Sequence, residues 1–135
     1  MADASRAARP RPLSPHVQIW RWHITMVCSI LHRVTGLALY GGALILMAFA
    51  VSLASGPDAY ATFRGVLGSL LGKIVLFLLT VSVFYHLANG VRHLVWDAGK
   101  GFQPKTADQT AFLAIGFALV AAVALWVFAA FAGAL

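Results

Sequence analysis

Acidic side chains are scarce in this sequence. Its 135 residues include 4 acidic ones, all of them aspartate, and glutamate is missing altogether. The chain therefore lacks the carboxylate pair that many hydrolases use as acid and base. It also lacks a glycine-rich phosphate loop and any Ser/His/Asp spacing suited to nucleophilic catalysis. Cysteine occurs once, at Cys28, so no disulfide can form within the chain, and we expect a small packing residue there.

Long charged segments are missing too, and apolar ones take their place. Hydrophobic residues make up 61% of the chain and charged residues 10%, with a mean hydropathy of +0.84. Charge is nearly absent from residues 34–53, 66–91 and 110–135, the second stretch being interrupted by Lys73 and His86. Each stretch is long enough to cross a hydrocarbon core about 30 Å thick. Because lipid offers the backbone no hydrogen-bond partners, each must be helical.

The sequence therefore predicts an all-α integral membrane protein, a bundle of three transmembrane helices. An interfacial segment at residues 1–23, with Trp20 and Trp22 at headgroup level, would precede an anchor domain at residues 24–135. Turn residues after the first helix and Asp108 as the N-cap of the third indicate where helices end and begin. The predicted helices cover about residues 24–55, 63–96 and 109–135.

Small residues recur every four positions in the second and third helices. Such rows let helices approach closely in lipid. We expect these positions to lie at helix contacts: Gly68, Gly72, Ala114, Ala118 and Ala122.

The net charge of +6 is unevenly distributed. Basic residues are concentrated before the first helix and between the second and third, whereas the first loop holds only Asp58 and Arg64. The positive-inside bias thus predicts a cytoplasmic N-terminus and second loop, with the C-terminus outside. The basic excess indicates membrane topology and not binding to nucleic acid.

The start of the chain does not have the form of a secretory signal. Three arginines and three prolines precede any apolar run. Arginine richness is also typical of mitochondrial transit peptides, but this segment is short. We therefore expect the inner (plasma) membrane of a bacterium, in preference to the mitochondrial inner membrane.

Ionisable residues inside an apolar helix are costly and need a reason. His86 precedes Arg92 by six residues, which places it about 9 Å inside the membrane boundary. One helix face carries four polar residues at 4-3-4 spacing, namely Ser82, His86, Asn89 and His93. This stripe favours an axial haem ligand at His86 over a core histidine bonded to a neighbouring helix, and Gly90 would leave room for the macrocycle. Because no other histidine lies at comparable depth, a second ligand would come from another subunit.

A second polar group lies at the start of the first helix. Ser29, His32 and Arg33 face the same way because they are three and four residues apart. A hydroxyl beside a guanidinium suits the carbonyl headgroup of a quinone: Ser29 would donate to an oxygen, and Arg33 would stabilise developing negative charge. The alternative is an interfacial arginine that snorkels to lipid phosphate, with Ser29 only packing. Spacing alone favours that alternative for Arg33.

Two longer patterns resemble the cytochrome b subunits of succinate dehydrogenase. The first comprises Arg11-Pro12-Leu13, Val17, Ile24 and SILHRVT at residues 29–35. The second is HLANGVRHLVWDAG at residues 86–99. Both fall in the family's order and are separated by the expected helix, so the resemblance covers the chain from Arg11 onward. The third helix matches only in character.

The resemblance implies a membrane anchor of respiratory complex II that does not itself bind succinate. The implied partners are a flavoprotein subunit, an iron–sulfur subunit and a second small membrane anchor subunit. His86 corresponds to the axial ligand of haem b, shared with a histidine of that second anchor. Ser29 and Arg33 correspond to quinone-site residues, with ubiquinone as substrate. His32, Arg33 and His93 fall in the surroundings of the haem propionates.

Two alternatives stay open. A fumarate reductase anchor would run the same chemistry backwards, and direction depends on cofactor potentials and on the quinone. A haem-free structural anchor would lack the visible absorption of a cytochrome.

Overall fold

Three long helices and one short one make up the computed structural model, which describes residues 20–133. They are α1 (Ile24–Ala54), α2 (Pro57–Gly68), α3 (Leu70–Asp97) and α4 (Pro104–Phe131). Helices α1, α3 and α4 are long and apolar enough to cross a membrane, which confirms the predicted class. Helix α3 contacts all three of the others. The predicted interfacial segment lies outside the described residues except for residues 20–23, and the orientation in the membrane stays a prediction.

The prediction of one continuous helix over residues 63–96 is wrong. The structure has two helices there, separated at Ser69, whose backbone is extended (φ −63°, ψ 160°). The Ser69 hydroxyl accepts a hydrogen bond from the Gly72 backbone N–H at 3.1 Å and so caps α3. Serine competes in this way for N–H groups that would otherwise continue a helix. Helix α2 starts earlier than predicted, with Pro57 in its first turn.

Gly72 permits this sharp turn between α2 and α3. A Cβ atom at Gly72 would lie 2.5 Å from the carbonyl oxygens of Val66 and Leu67, closer than any side chain could be accommodated. At Gly68 a Cβ atom would meet nothing within 4 Å. Of the two glycines in the predicted row, Gly72 therefore serves a turn and Gly68 makes no close contact.

The prediction that the third helix starts at residue 109 is also wrong. Helix α4 begins at Pro104, with Gln103 in the N-cap position. Proline is favoured in a first turn, because its missing N–H would have no partner there. Asp108 thus lies within α4 and is not the N-cap. The end of the first helix agrees within one residue of the prediction, and the predicted end at residue 135 lies outside the described part of the chain.

The alanine row of α4 lies at a helix interface, as predicted. The buried residues of α4 recur at intervals of three and four: Ala111, Ala114, Ala118 and Ala122. This face packs on α3, the most extensive contact between helices in the described chain. Small side chains allow two backbones to approach closely where lipid provides no hydrophobic drive for association.

The face of α1 that meets α3 is held by a buried polar contact. The Tyr85 hydroxyl donates a hydrogen bond of 2.8 Å to the backbone carbonyl of Cys28. Both residues are buried, and Cys28 is fully so. Cys28 is therefore the small packing residue that was expected, and its lack of a long side chain leaves its carbonyl within reach of α3.

Candidate functional site

Three imidazoles from two helices lie together at one end of the bundle. His32 of α1 stacks on His86 of α3 with ring centroids 3.9 Å apart and 11° between the planes. The His32 and His93 ring centroids are 5.1 Å apart. We call His32, His86 and His93 the histidine cluster. Within residues 20–133, no set of three or more His, Cys, Asp or Glu side chains converges on a metal position, so the cluster is not a ready-made cage for a bare ion.

The His86 ring is oriented by Thr35 across the α1–α3 interface. The Thr35 hydroxyl lies 2.8 Å from the Leu31 carbonyl oxygen, 3.0 Å from that of His32 and 3.2 Å from His86 Nδ1. The hydroxyl has one proton, and the carbonyl contacts are the shorter ones. The hydroxyl therefore donates to the backbone and accepts from a protonated Nδ1. This tautomer leaves the lone pair of His86 on Nε2.

Gly36 provides the space for the His86 ring. A Cβ atom at Gly36 would lie 3.2 Å from His86 Cε1, tighter than ordinary contact. Gly90 plays a weaker part, since a Cβ atom there would lie 3.9 Å from His32 Cε1, an ordinary contact distance. The glycine that matters most for His86 is thus on the opposite helix from the one the sequence indicated.

His93 belongs to a buried polar network. The Asn89 side-chain nitrogen lies 3.3 Å from His93 Nε2, and its oxygen accepts from Arg92 Nη1 at 3.2 Å. Asn89 is fully buried and Arg92 is 6% exposed. Because the amide oxygen is engaged by Arg92, the amide N–H group faces His93 and donates to it. This fixes the proton of neutral His93 on Nδ1.

Arg92 ties this network to α4. Its Nε donates to the Thr110 hydroxyl at 3.0 Å and its Nη2 to the Ala107 carbonyl at 3.0 Å. The guanidinium also lies over the Trp96 ring, 4.0 Å from the centroid. A buried cation needs such partners, because desolvation without them is expensive. Sequence reasoning used Arg92 only to mark the membrane boundary and missed this role.

His32 has a buried nitrogen with an unmet hydrogen-bonding requirement. Its Nδ1 atom is buried and has no hydrogen-bond partner among the described residues. Buried polar atoms are normally satisfied, so an unsatisfied one suggests a missing group.

The two predicted quinone-site residues lie on α1, one turn apart. Ser29 is partly buried and Arg33 is exposed. Between residues 20 and 133 the structure shows no hydrogen bond that joins them to each other or to the histidine cluster. It therefore brings the histidines together but joins neither Ser29 nor Arg33 to them.

A further polar contact joins the first residues of α1 and α4. His23 Nε2 lies 3.4 Å from Asp108 Oδ1, and His23 Nδ1 lies 2.8 Å from the Thr25 hydroxyl oxygen. His23 also occupies the N-cap position of α1. The contact depends on two helices that are distant in sequence, and no spacing pattern could have indicated it.

A family model and individual relatives of known name point to the same family. Residues 7–125 match the family model described as succinate dehydrogenase/fumarate reductase transmembrane subunit. The chain is 37% identical to the succinate dehydrogenase cytochrome b556 subunit of Paracoccus denitrificans over 123 residues, 91% of this chain and 93% of that one. It is 37% identical to the protein of the same name in Rickettsia felis over 117 residues, 87% and 91% of the two chains. The mitochondrial cytochrome b560 subunit of Mus musculus is 41% identical over 93 residues, 67% and 55% of the two chains.

Proposed function

The chain belongs to the family of succinate dehydrogenase and fumarate reductase transmembrane subunits, and on this premise we propose that it anchors a succinate:quinone oxidoreductase in the membrane. It holds half of a haem b and forms part of the quinone site. Electrons from succinate reach ubiquinone through the flavoprotein and iron–sulfur subunits. The protein itself does not bind succinate.

The contact between the Thr35 hydroxyl and His86 Nδ1 is the observation that carries the haem assignment. Metal-bound histidine usually donates its other ring N–H to a nearby acceptor, which fixes the ring and makes the ligating nitrogen more basic. Thr35 is such an acceptor for Nδ1, at 3.2 Å. Nε2 then carries the lone pair that iron requires. The residues present therefore fit a haem, whose iron His86 would hold through Nε2.

The rest of the histidine cluster suits the polar edge of a haem. A haem carries two propionates, which need donors or cations. The unsatisfied Nδ1 of His32 and the Nδ1–H of His93 could both supply such donors. A bound haem iron supplies one-electron chemistry. The chain's own part is to fix the His86 ring through Thr35, and His93 through the network around Arg92.

The proposed quinone site is at the start of α1. Ser29 donates to a quinone oxygen, and the exposed guanidinium of Arg33 offers positive charge where the reduced headgroup becomes negative. Both residues lie within one turn of His32, so the quinone site adjoins the haem surroundings. The iron–sulfur subunit and the second anchor complete the pocket.

The protein lies in the inner membrane of a bacterium, with the histidine cluster toward the cytoplasm. Its similarity to Paracoccus and Rickettsia proteins over most of both chains supports this location. The positive-inside bias supports the orientation, because the basic loop before α4 adjoins the cluster. Fumarate reduction by the same machinery is the alternative direction, since the family model spans both enzymes.

Haem content tests the ligand assignment. His86→Ala should abolish or alter the b-type absorption of the purified complex, because the iron loses one axial ligand. Ser82→Ala is a matched control, one turn earlier on α3, whose hydroxyl donates only to the Leu78 carbonyl of its own helix. It should leave the spectrum unchanged. An unchanged spectrum in the His86→Ala complex would refute the assignment and favour a structural anchor.

Quinone reduction tests the second site. Ser29→Ala and Arg33→Ala should each lower electron transfer to ubiquinone at least tenfold, in the range found for groups that stabilise developing charge. Succinate oxidation with an artificial acceptor should continue at the normal rate. Equal loss of both activities would argue against a quinone role and for a role in assembly.

A further inference from the structure

Two basic side chains lie at the end of the bundle opposite the histidine cluster. Arg64 of α2 and Lys73 of α3 line one cavity of about 600 Å³. Across residues 20–133 the only contact within 4 Å between a basic and an acidic side chain is that of His23 with Asp108, at the other end of the bundle. Arg64 and Lys73 therefore have no described carboxylate within reach, including that of Asp58 on α2. The cavity is a basic one.

This cavity adjoins a larger apolar cleft. The cleft, of about 830 Å³, is lined by residues of all four helices, among them Leu79 and Val83 of α3. The basic cavity and the apolar cleft share five lining residues: Phe49, Phe63, Leu67, Leu76 and Trp126. A basic mouth thus leads directly into an apolar space between membrane helices.

The position of Lys73 favours an anionic partner. It is the fourth residue of a membrane-spanning helix and is partly buried. The positive-inside bias depletes basic residues from this end of the bundle, so two cations that line one cavity here need a reason. Tyr60 and Trp126 line the same mouth, and both are typical of the headgroup level of a bilayer. The mouth therefore lies where lipid headgroups lie.

We propose that this cleft binds an anionic phospholipid of the leaflet on the α2 side. The phosphate accepts hydrogen bonds from the Arg64 guanidinium and the Lys73 ammonium, a pairing that suits both groups. One acyl chain fills the cleft between α1 and α4. A zwitterionic lipid could fill the same space, but its cationic headgroup would be repelled by the two basic side chains.

Lipid analysis of the purified complex tests the proposal. The intact complex is washed extensively in mild detergent, and the phospholipids that stay bound are extracted and quantified by mass spectrometry. Wild-type complex should retain about one anionic phospholipid for each copy of this chain. The double variant R64Q/K73Q should lose it, while K73R should keep it because the charge is conserved. K100Q/K105Q, two exposed cations at the other end, is the matched control and should also keep it.

Haem absorption, read from the same samples, reports whether each complex has assembled and is expected to be unchanged throughout. The proposal is overturned if washed wild-type complex retains no anionic phospholipid, a result that needs no variant. Equal retention by the double variant would overturn it too. Loss of the second anchor subunit from R64Q/K73Q membranes, with bound lipid unchanged, would also overturn it and would show that these cations hold that subunit.

Discussion

The two ends of the helix bundle are built differently. At the end with the histidine cluster, α1, α3 and α4 are joined by directed polar contacts, from Tyr85 to the Cys28 carbonyl and from Arg92 to Thr110. At the end with α2, the described membrane helices share one side-chain hydrogen bond, from Trp126 Nε1 to the Thr80 hydroxyl at 3.2 Å. The other contacts between helices at this end are aromatic and aliphatic, and a wide cleft lies between α1 and α4.

This difference fits the two roles proposed above. Lipid tails are as apolar as leucine, so apolar contacts alone specify helix positions weakly in a membrane. Hydrogen bonds across helices fix distances and ring orientations, and a metal ligand depends on both. A loosely packed apolar end can instead adapt to an acyl chain. On the proposed function, the polar end would hold the chemistry and the apolar end would contact the lipid.

The largest expected effect on stability comes from removing Arg92, the buried cation at the polar end. Arg92→Ala deletes two hydrogen bonds to α4 and leaves the buried Asn89 oxygen unpaired, which should cost about 3 kcal/mol. Trp126→Phe, the matching loss at the other end, should cost about 0.6 kcal/mol because the ring still packs on Phe77. The thermal midpoint of the purified complex measures both. Equal shifts would remove the distinction between the two ends.

Next in size is the effect of Thr35 on haem binding. Thr35→Val keeps the shape of the side chain but removes the acceptor for His86 Nδ1, which should weaken haem binding by roughly tenfold or more. The rate of haem transfer to excess apomyoglobin reports this change. Thr35→Ser retains the hydroxyl and should behave as wild type. If the valine and serine variants release haem equally fast, Thr35 does not orient the ligand.

A smaller effect is expected at Gly36. In Gly36→Ala the new methyl group would lie 3.2 Å from His86 Cε1, so the ring must shift by a few tenths of an ångström. The midpoint potential of the haem should change, while the amount bound should hardly fall. Gly41→Ala is the control on the same helix, since a Cβ atom there meets nothing within 4 Å. The same potential for both variants would mean that the His86 ring does not depend on this space.

Most of the membrane architecture could be predicted from composition and length alone. Apolar runs indicated three spanning helices, because a segment in lipid must form its backbone hydrogen bonds within itself. The break at Ser69 could not be seen, since a single serine in an apolar run changes hydropathy little. Its effect depends on the cap it forms with Gly72 and on the way α2 folds back over that glycine. The start of α4 was misplaced because Asp108 is a good N-cap residue that contacts His23 instead.

For the candidate site, residue spacing could indicate which side chains share a helix face, but not which residues of other helices they contact. The 4-3-4 pattern on α3 placed His86, Asn89 and His93 on one side, and the structure puts them there. The stacking of His32 on His86 and the acceptor role of Thr35 arise from the crossing of α1 and α3. Arg92 looked like a boundary charge because its partners on α4 are 15 and 18 residues away. Contacts between helices carry no signal in a single sequence.

An experimental structure of the intact complex tests the central claim most directly, through the atoms around the histidine at position 86. We expect His86 Nε2 to coordinate a haem iron while Nδ1 donates to the Thr35 hydroxyl. An iron held by other residues, or a His86 ring that faces lipid with no haem beside it, would contradict the account.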